Sequence, residues 1–395
     1  MFETLSQAPA DKIFELVAKF RADTRPEKLD LGIGVYKDQA GKTPVMQAVR
    51  RAEQMILDAQ TTKTYVGVAG NAGFRDAVRD LVFGDAVSGE RVASVQAPGG
   101  TGALWVLMKL VDRARNGGRV LISDPTWPNH EPMLDGAGLK VETYPYFDAA
   151  TRSVRFDDML QALDSLGPDD TVLLHGCCHN PTGANLTPAQ WDEVAESLNR
   201  TGALPLIDLA YQGFGDGLED DVYGVRKVAA TCDEMLLAFS ASKNFGLYRE
   251  RAGVSFAVAR DKASAGIVGS QMGNIIRSAW SQSPDHGAEV VRLILTDPDL
   301  RKDWEDELTE MRETMLENRK ELAAALRKAS NSGEFDFIAD HRGMFSLIGI
   351  SPDAVTALRE NKAIYLIGDS RMNVAGLPQD GMDQLAESII AVTRT

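Results

Sequence analysis

The sequence has 395 residues, with 42 Lys and Arg against 57 Asp and Glu, and therefore a formal net charge of −15. Its 44% hydrophobic and 25% charged residues are typical of a folded globular protein and exclude wholesale disorder. The acidic balance argues against nucleic acid as a partner, and no apolar run reaches the ~20 residues that a membrane span needs. The 3 cysteines include no disulfide framework, which favours a reducing, cytoplasmic location.

Short apolar runs alternate with amphipathic stretches through the middle of the chain. A helix is predicted over 102–115, with Thr101 as its N-cap and residues 116–118 as its stop. A second helix is predicted over 190–199, with Thr187 as cap and Pro188 at its first position. Strands are predicted at 119–123, 171–175, 204–208, 235–240 and 253–259. Because these strands are almost continuously apolar, we expect a buried, mostly parallel sheet in a doubly wound α/β domain.

Beyond residue 300 the pattern changes. A long charged helix is predicted over 303–329, followed by strands at 335–339, 343–349 and 363–368 and a last helix at 381–393. This part predicts a second, smaller α/β module, with the long helix as a bridge between the two.

Polar residues follow four of the predicted strands at the point where each strand ends. They are Trp127, Asn180, Asp208, Tyr211, Ser240 and Lys243. In open α/β sheets ligands bind outside the carboxyl ends of the strands, so these loops predict one shared site.

The string from His175 to His179 contains the adjacent cysteines Cys177 and Cys178 and superficially suggests a metal site. Adjacent residues on an extended strand point to opposite faces and do not easily share one ion. We therefore expect a buried strand end and no metal.

Two further segments indicate chemistry. Residues 98–102 (PGGTG) open a helix and predict an anion site made of backbone N–H groups, but they match neither GxGxxG nor the P-loop, which disfavours a NAD-dependent dehydrogenase. Lys243 lies among small residues, with Arg249 and Arg251 six and eight positions away. A lysine becomes a nucleophile toward carbonyls when burial or cationic neighbours lower its pKa.

The segment SASKNFGLYRERAG (240–253) resembles the lysine signature of class I pyridoxal-phosphate aminotransferases. LGIGVYKD, TKTYVGVAG, SDPTWPNH, HGCCHNPTGAN, IDLAYQGFGDG, IIRSAWSQSPDHG and GDSRMNVAGL resemble the same family in the same order, within its aspartate and aromatic amino acid aminotransferase branch. The resemblance covers essentially the whole chain. It implies fold type I: a large cofactor domain (43–310) with a mostly parallel seven-stranded sheet, and a smaller α/β domain built from both termini (1–42 and 311–395).

The resemblance also implies the cofactor, pyridoxal 5′-phosphate, and a ping-pong transamination. Lys243 would hold the pyridoxal as a Schiff base and then move the proton. Asp208, with His130 behind it, would pair with the pyridine nitrogen, Tyr211 and Asn180 with the phenolic oxygen, and Trp127 would stack on the ring. The implied phosphate ligands are Gly100, Thr101, Ser240, Arg251 and, from the other subunit of a homodimer, Tyr65.

For the substrate, the resemblance implies that Arg371 and Gly34 bind the α-carboxylate, next to Trp127 and Asn180, and that Arg277 crosses the dimer to pair with a side-chain carboxylate. Thr64 and Gln282 stand where aspartate-specific members commonly carry Asn, and Trp280 adds aromatic bulk. We therefore expect amino transfer between aspartate, glutamate or aromatic amino acids and 2-oxoglutarate or oxaloacetate.

Alternatives remain open at this stage. They are a strictly dicarboxylate-specific aspartate aminotransferase, another pyridoxal-phosphate reaction on the same fold, and a ligand-sensing regulator. The regulator would need an appended DNA-binding module, for which the ~10 residues before the first motif are too few.

Overall fold

The computed structural model describes residues 2–7, 12–38, 40–378 and 380–393. The helices are α1 (Lys12–Ala22), α2 (Gln47–Ala59), α3 (Ala72–Phe83), α4 (Gly99–Arg115), α5 (His130–Ala137), α6 (Phe156–Asp164), α7 (Pro188–Thr201), α8 (Tyr223–Thr231), α9 (Lys262–Ala279), α10 (His286–Thr296), α11 (Pro298–Ser330), α12 (Phe337–Asp340), α13 (Pro352–Lys362) and α14 (Met382–Thr393). The strands are β1 (Leu29–Asp30), β2 (Val92–Pro98), β3 (Arg119–Asp124), β4 (Lys140–Pro145), β5 (Phe147–Asp148), β6 (Ser153–Val154), β7 (Thr171–His175), β8 (Leu204–Leu209), β9 (Met235–Ser240), β10 (Ala252–Val258), β11 (Phe345–Leu347), β12 (Ile364–Tyr365) and β13 (Arg371–Asn373).

A seven-stranded sheet in the order β2-β10-β9-β8-β7-β3-β4 forms the centre of the larger part. Only β10 runs antiparallel to its sheet neighbours, so the predicted mostly parallel sheet is confirmed. The continuous apolar runs are explained by helices on both faces: Leu237 and Phe239 of β9 enter one core, whereas Leu236 and Ala238 enter the core on the other side.

Both ends of the chain contribute to the smaller part. Leu31 packs with residues from 322 onward in a separate core, and β1 pairs in parallel with β12. Helix α11 passes through both cores, with Met315 in the first and Leu322 in the second. The smaller α/β unit built from both termini is thus present, while its boundaries at 42/43 and 310/311 remain predictions.

Two local predictions are wrong. The stretch 335–339 was expected to be a strand but leads into the short helix α12. Helix α4 begins at Gly99 rather than Gly102, so Thr101 lies inside its first turn and is not the N-cap. By contrast, Thr187 does cap α7 in a capping box with Gln190, and Asn116 ends α4 in the left-handed conformation.

Helix α11 also fastens the loop that carries Lys243. Trp304 is fully buried, its ring stacks on Phe245 with centroids 4.4 Å apart, and its Nε1 donates to the carbonyl of Asn244 at 2.7 Å. Trp304 of α11 therefore stabilises the lysine loop through an aromatic stack and a buried hydrogen bond.

We predict that Trp304→Phe lowers the free energy of unfolding by about 1–3 kcal/mol, because the Asn244 carbonyl loses its buried donor while most of the stacking remains. Chemical denaturation would measure this. Trp105→Phe, at a half-buried position of α4, is the matched control and should cost less than about 1 kcal/mol. Equal losses in the two variants would contradict the anchoring role.

Candidate active site

A cavity of about 180 Å³ lies at the carboxyl ends of the parallel strands. Nine residues singled out from the sequence line it, and they come from five separate segments. They are Gly100, Thr101, Trp127, Asn180, Asp208, Tyr211, Ser240, Lys243 and Arg251. The expectation that the strand-end loops share one site is therefore met in the geometry.

Lys243 follows β9 and reaches the cavity wall, where its Nζ lies 4.7 Å from the centre of the Tyr211 ring. Burial, together with the positive charges of Arg251 and Arg371, lowers the pKa of Lys243 to about 8, against the opposing effect of Asp208. The amine is consequently close to the pH range in which it can both bind and release a proton.

Asp208 lies on β8 and begins a chain of hydrogen bonds. Its Oδ2 is 3.2 Å from Nε2 of His130, whose Nδ1 is 2.8 Å from Oγ1 of Thr126, and that hydroxyl is 3.0 Å from Nε2 of His175. Burial alone would raise the pKa of Asp208, but the bond to His130 and the charges of His130, His175 and Lys243 outweigh it, so the pKa is lowered. The buried carboxylate stays negative.

Tyr211 and Asn180 line the same cavity and contact each other. The Asn180 Nδ2 donates to the Tyr211 hydroxyl at 3.4 Å, and burial raises the pKa of that phenol. The phenol therefore remains protonated and available as a donor.

The start of α4 forms one end of the cavity. In the described structure no side chain caps this helix, whose N-cap is Pro98. The N–H of Gly99 donates to the Arg251 carbonyl at 2.9 Å, so the N–H groups that follow it in the first turn are the ones suited to an anion. Ser240 faces Gly100 so closely that an added Cβ would lie 3.0 Å from the Ser240 Cβ, and a Cβ on Gly99 would lie 2.4 Å from Nη2 of Arg251. Ser242 and the Tyr248 carbonyl orient Arg251 through its Nη1, at 3.2 and 3.1 Å.

These donors fit a phosphate. They combine a helix N-terminus, a hydroxyl and a permanently charged guanidinium, and the two glycines leave room where side chains would obstruct. Trp127 lines the same cavity, with its ring edge-on to His130 at 5.2 Å. A planar ring with a phosphate at one end and a basic nitrogen facing Asp208 matches this set of residues.

Arg371 marks the other end of the site. It is 4% exposed, its Nη1 donates to Oδ1 of Asn180 at 3.1 Å and its Nη2 to the Gly32 carbonyl at 3.2 Å. Its Nε has no hydrogen-bond partner within the described part of the chain. A buried guanidinium with uncharged partners and an unused donor is suited to a carboxylate from outside the chain.

The Phe345 ring packs against both Gly34 and Arg371. A Cβ on Gly34 would be 2.6 Å from Cζ of Phe345, whose ring is stacked against the Arg371 guanidinium at 4.2 Å. Asn373 holds this segment in place by donating from Nδ2 to the carbonyls of Ile33 and Val35, at 2.6 and 2.8 Å.

Tyr65 and Arg277 do not line this cavity in the described chain. Tyr65 is 89% exposed, and Arg277, at the end of α9, is exposed and donates to Oγ of Ser281 at 2.5 Å. The single chain therefore brings together all the predicted cofactor residues except Tyr65. Of the two predicted substrate arginines, it brings Arg371 to the site but not Arg277.

Sequence reasoning missed three neighbours of the site. Phe345 gave no signal, because its role depends on packing between segments far apart in the chain. Tyr248 lies in the lysine segment and accepts a hydrogen bond from the backbone of Tyr36 at 3.1 Å, a long-range contact that no local pattern predicts. His175, at the end of β7, was considered only as a metal ligand.

Cys177 and Cys178 do not lie on an extended strand, so the prediction that they point to opposite faces is wrong. Strand β7 ends at His175, and Cys178 has a φ of 51°, so the backbone turns between them. Their sulfur atoms and a carboxylate oxygen of Asp221 lie within 4.8 Å of one another. Asp221 already accepts from the backbone N–H groups of Gly213, Gly215 and Asp216, which gives it a structural role in that turn.

The chain matches the family model described as aminotransferase class I and II over residues 26–389. It is 50% identical over 386 residues to the aromatic-amino-acid aminotransferase of Paracoccus denitrificans, covering 98% of each chain. It is 44% identical over 395 residues to the aspartate aminotransferase of Escherichia coli (strain K12), covering 99% of this chain and 100% of that one. A crystal structure of the aromatic-amino-acid aminotransferase from Burkholderia pseudomallei, covalently bound to pyridoxal phosphate, superposes with a TM-score of 0.96 at 40% identity, covering 100% and 99% of the two chains.

The lowered pKa of Lys243 makes a prediction about the cofactor-free protein. At pH values between about 8, the pKa of Lys243 in the folded chain, and 10.5, its ordinary pKa, the unfolded chain binds more protons at this lysine than the folded chain does. The free energy of unfolding should therefore rise with pH across that window. In Lys243→Met this rise should be absent, and below pH 8 the variant should be more stable than wild type by roughly 1–3 kcal/mol.

Denaturation at several pH values measures both effects. Lys262→Met, at an exposed lysine, is the matched control and should follow the wild-type curve. A Lys243→Met curve parallel to that of wild type would contradict the burial of the charge.

Proposed function

This chain belongs to the class I and II aminotransferases, and on that premise we propose that it transfers amino groups of both dicarboxylic and aromatic amino acids. It is a pyridoxal 5′-phosphate-dependent aminotransferase. The observation that carries the assignment of roles is the convergence of Lys243, Asp208 and the anion-binding start of α4 on one cavity. We propose that this cavity is the catalytic site.

Pyridoxal phosphate supplies an electron-withdrawing ring that stabilises negative charge at the substrate Cα. In our proposal the ring nitrogen faces Asp208, whose charge is maintained by His130, and the phosphate is bound by Gly100, Thr101, Ser240 and Arg251. Each of these groups is fixed before a ligand arrives, by a strand, a helix start or a hydrogen bond, and so needs little reorganisation.

Lys243 is proposed to attach the cofactor and to carry the proton of the transfer. Once the substrate amine has displaced it from the cofactor, the free Nζ would take the proton from the substrate Cα and deliver it to the cofactor carbon to which the lysine had been joined. A pKa of about 8 for the buried amine suits this transfer near neutral pH. Tyr211 and Asn180 are proposed to hydrogen-bond the phenolic oxygen, and Trp127 to cover the ring and exclude water on that side.

The substrate α-carboxylate is proposed to bind Arg371, Asn180 and the backbone at Gly34. The unpartnered Nε of Arg371 supports this, because a carboxylate would satisfy the buried donor. Arg371 belongs to the smaller α/β part and Asn180 to the larger one, so binding would involve both.

Substrate choice is proposed to depend on Arg277. Trp280, three residues after Arg277, adds aromatic bulk to this segment, and its indole is oriented by donating from Nε1 to Oγ of Ser283 at 3.1 Å. Thr64 and Gln282 stand where aspartate-specific members commonly carry Asn, whose short side-chain amide is expected to restrain Arg277. If Arg277 were rigid and buried in the substrate site, an aromatic substrate would leave its charge unpaired. Dual specificity therefore requires that the Arg277 side chain can move out of the site when an aromatic ring binds. One observation favours the alternative of a strictly dicarboxylate-specific enzyme: Arg277 donates a hydrogen bond to Oγ of Ser281, which would restrain the arginine.

We predict that Arg277→Leu lowers kcat/KM for aspartate by about 100-fold, as expected for losing one desolvated ion pair, and keeps that for phenylalanine within about tenfold. Steady-state kinetics with both substrates measures the split, and Arg277→Lys, which keeps the charge, should retain more aspartate activity. A wild-type enzyme without phenylalanine turnover would refute dual specificity. Unchanged aspartate kinetics in Arg277→Leu would refute the role of the arginine.

A homodimer with shared active sites is proposed to complete each cavity. Support comes from Tyr65 and Arg277, which are exposed and do not line the cavity of their own chain, and from further exposed apolar residues such as Met55 and Val66 near Tyr65. In this arrangement Tyr65 would reach the phosphate, and Arg277 the substrate side chain, of the opposite subunit.

Subunit mixing tests the proposal. Dimers combining Lys243→Ala with Arg277→Leu should regain aspartate activity, because one of the two sites then receives Lys243 from one chain and Arg277 from the other. Dimers combining Lys243→Ala with Asp208→Asn are the control and should stay inactive, because both groups belong to one chain. Mixed dimers of the first kind without activity would contradict shared sites.

Other expectations concern the surroundings of the protein. In the described residues no helix has the length and apolar character to cross a bilayer. We propose a cytoplasmic location, which is supported by three cysteines that are buried and free.

A further inference from the structure

Arg319 is a buried cation at the junction of the two cores. It is 0% exposed and lies on α11 between Met315, in the core of the larger part, and Leu322, in the core of the smaller part. Its guanidinium has only uncharged hydrogen-bond acceptors among the described residues, and burial lowers its pKa to about 9. Such a group is costly unless its geometry serves a purpose.

All of its acceptors belong to one segment, residues 338–346. Nη1 donates to the Ile338 carbonyl at 3.1 Å and to Oγ of Ser346 at 2.7 Å, and Nη2 donates to the carbonyls of Arg342, Gly343 and Phe345 at 3.1, 2.7 and 2.8 Å. One side chain thus fixes the path of the whole turn that leads into β11.

The same turn is pressed against the larger part of the protein. The N–H of Arg342 donates to the Gly183 carbonyl at 2.8 Å, and a Cβ on Gly183 would lie 2.3 Å from the Phe345 carbonyl oxygen. A Cβ on Gly343 would lie 2.4 Å from that of Cys178. Both glycines have a positive φ, and a side chain at either position would collide with the facing backbone or Cys178. The turn is therefore closely packed between α11 and the Asn180 loop.

Phe345 carries this constraint into the active site. Its ring stacks on the Arg371 guanidinium at 4.2 Å, faces Gly34 and lies edge-on to Tyr211 at 6.3 Å. A guanidinium that is stacked on a ring and donates to Asn180 and Gly32 retains one orientation of its remaining donor.

We propose that Arg319 is a positioning residue for the carboxylate end of the site: it holds the 338–346 turn so that Phe345 fixes the plane of Arg371. This inference rests on the proposed role of Arg371 in binding the substrate carboxylate. Because every amino acid and oxo acid substrate has an α-carboxylate, Arg319 affects all substrates alike, unlike Arg277.

The test uses the holoenzyme and the variants Arg319→Lys and Phe345→Leu. Each should raise KM for aspartate and for phenylalanine by a similar factor, about fivefold to twentyfold, with kcat within about threefold. Maleate, a dicarboxylate that does not react, should bind more weakly by the same factor in calorimetry. Because both residues act through one turn, the double variant should show less than the product of the single effects.

Leu326→Ala, in the core of the smaller part and on the same helix, is the control for destabilisation alone. It should lower Tm without changing KM. If Arg319→Lys does not fold, Ser346→Ala, which removes one of its acceptors, replaces it and should raise both KM values by about twofold to fivefold. Unchanged KM and maleate affinity in the folded member of this pair would overturn the proposal.

Arg371→Lys separates this inference from the function on which it rests. If Arg371→Lys leaves KM unchanged, the carboxylate assignment itself is wrong. If it raises KM while Arg319→Lys and Phe345→Leu do not, only the positioning role is wrong.

Discussion

Holding the Lys243 amine out of water, near two arginines, is the constraint on which the rest of the site depends. Such an amine is unfavourable in its charged form, and the fold compensates only in part through the Asp208 carboxylate. Packing and hydrogen bonds around the lysine loop offset part of this cost. Helix α11 stacks Trp304 beneath the lysine loop, and β9 and β10 pair directly behind it. The burial that disfavours the charged form of Lys243 also lowers its pKa, and transamination requires an amine with a lowered pKa. The same burial therefore lowers the stability of the fold and enables the chemistry.

The two ends of the cavity are built by different means. The end proposed to bind phosphate uses backbone: a helix start without a capping side chain, with glycines at the positions where a Cβ would collide with Arg251 or Ser240. The end proposed to bind the substrate carboxylate uses side chains from both parts of the protein, with Arg371 from the smaller and Asn180 from the larger. The first end is rigid because it lies within the sheet and α4, whereas the second depends on how the two parts meet along α11 and the 338–346 turn.

The sequence predicts well wherever a property is local. Strands β7 and β9 were predicted to the residue, because each is a continuous apolar run with clear turn signals on both sides. The stretch 335–339 is mostly apolar, which predicts a strand, but so short an apolar run also fits a single helical turn, and Arg319 donates to the Ile338 carbonyl in that form. Thr101 was mistaken for a cap because a Gly-Gly pair usually precedes a helix, whereas here it begins one.

The site could be predicted as far as single residues carry a chemical signature. A lysine, an aspartate and a glycine-rich helix start are recognisable from their neighbours in the chain. Phe345 and Arg319 are not, since both act through partners 19 or more residues away in the chain, and the backbone turn at Cys178 departs from regular strand geometry. In the proposed homodimer, the placement of Tyr65 and Arg277 at an active site would depend on the second subunit, which no pattern within one chain describes.

The central claim is that Lys243 is the residue that binds the cofactor. Reduction of the holoenzyme with borohydride, followed by digestion and peptide mass spectrometry, tests it most directly, because reduction makes the linkage between lysine and cofactor permanent. We expect the phosphopyridoxyl mass on Lys243, and its loss in Lys243→Ala. The same mass on another lysine of the wild-type enzyme, with Lys243 unmodified, would contradict the account.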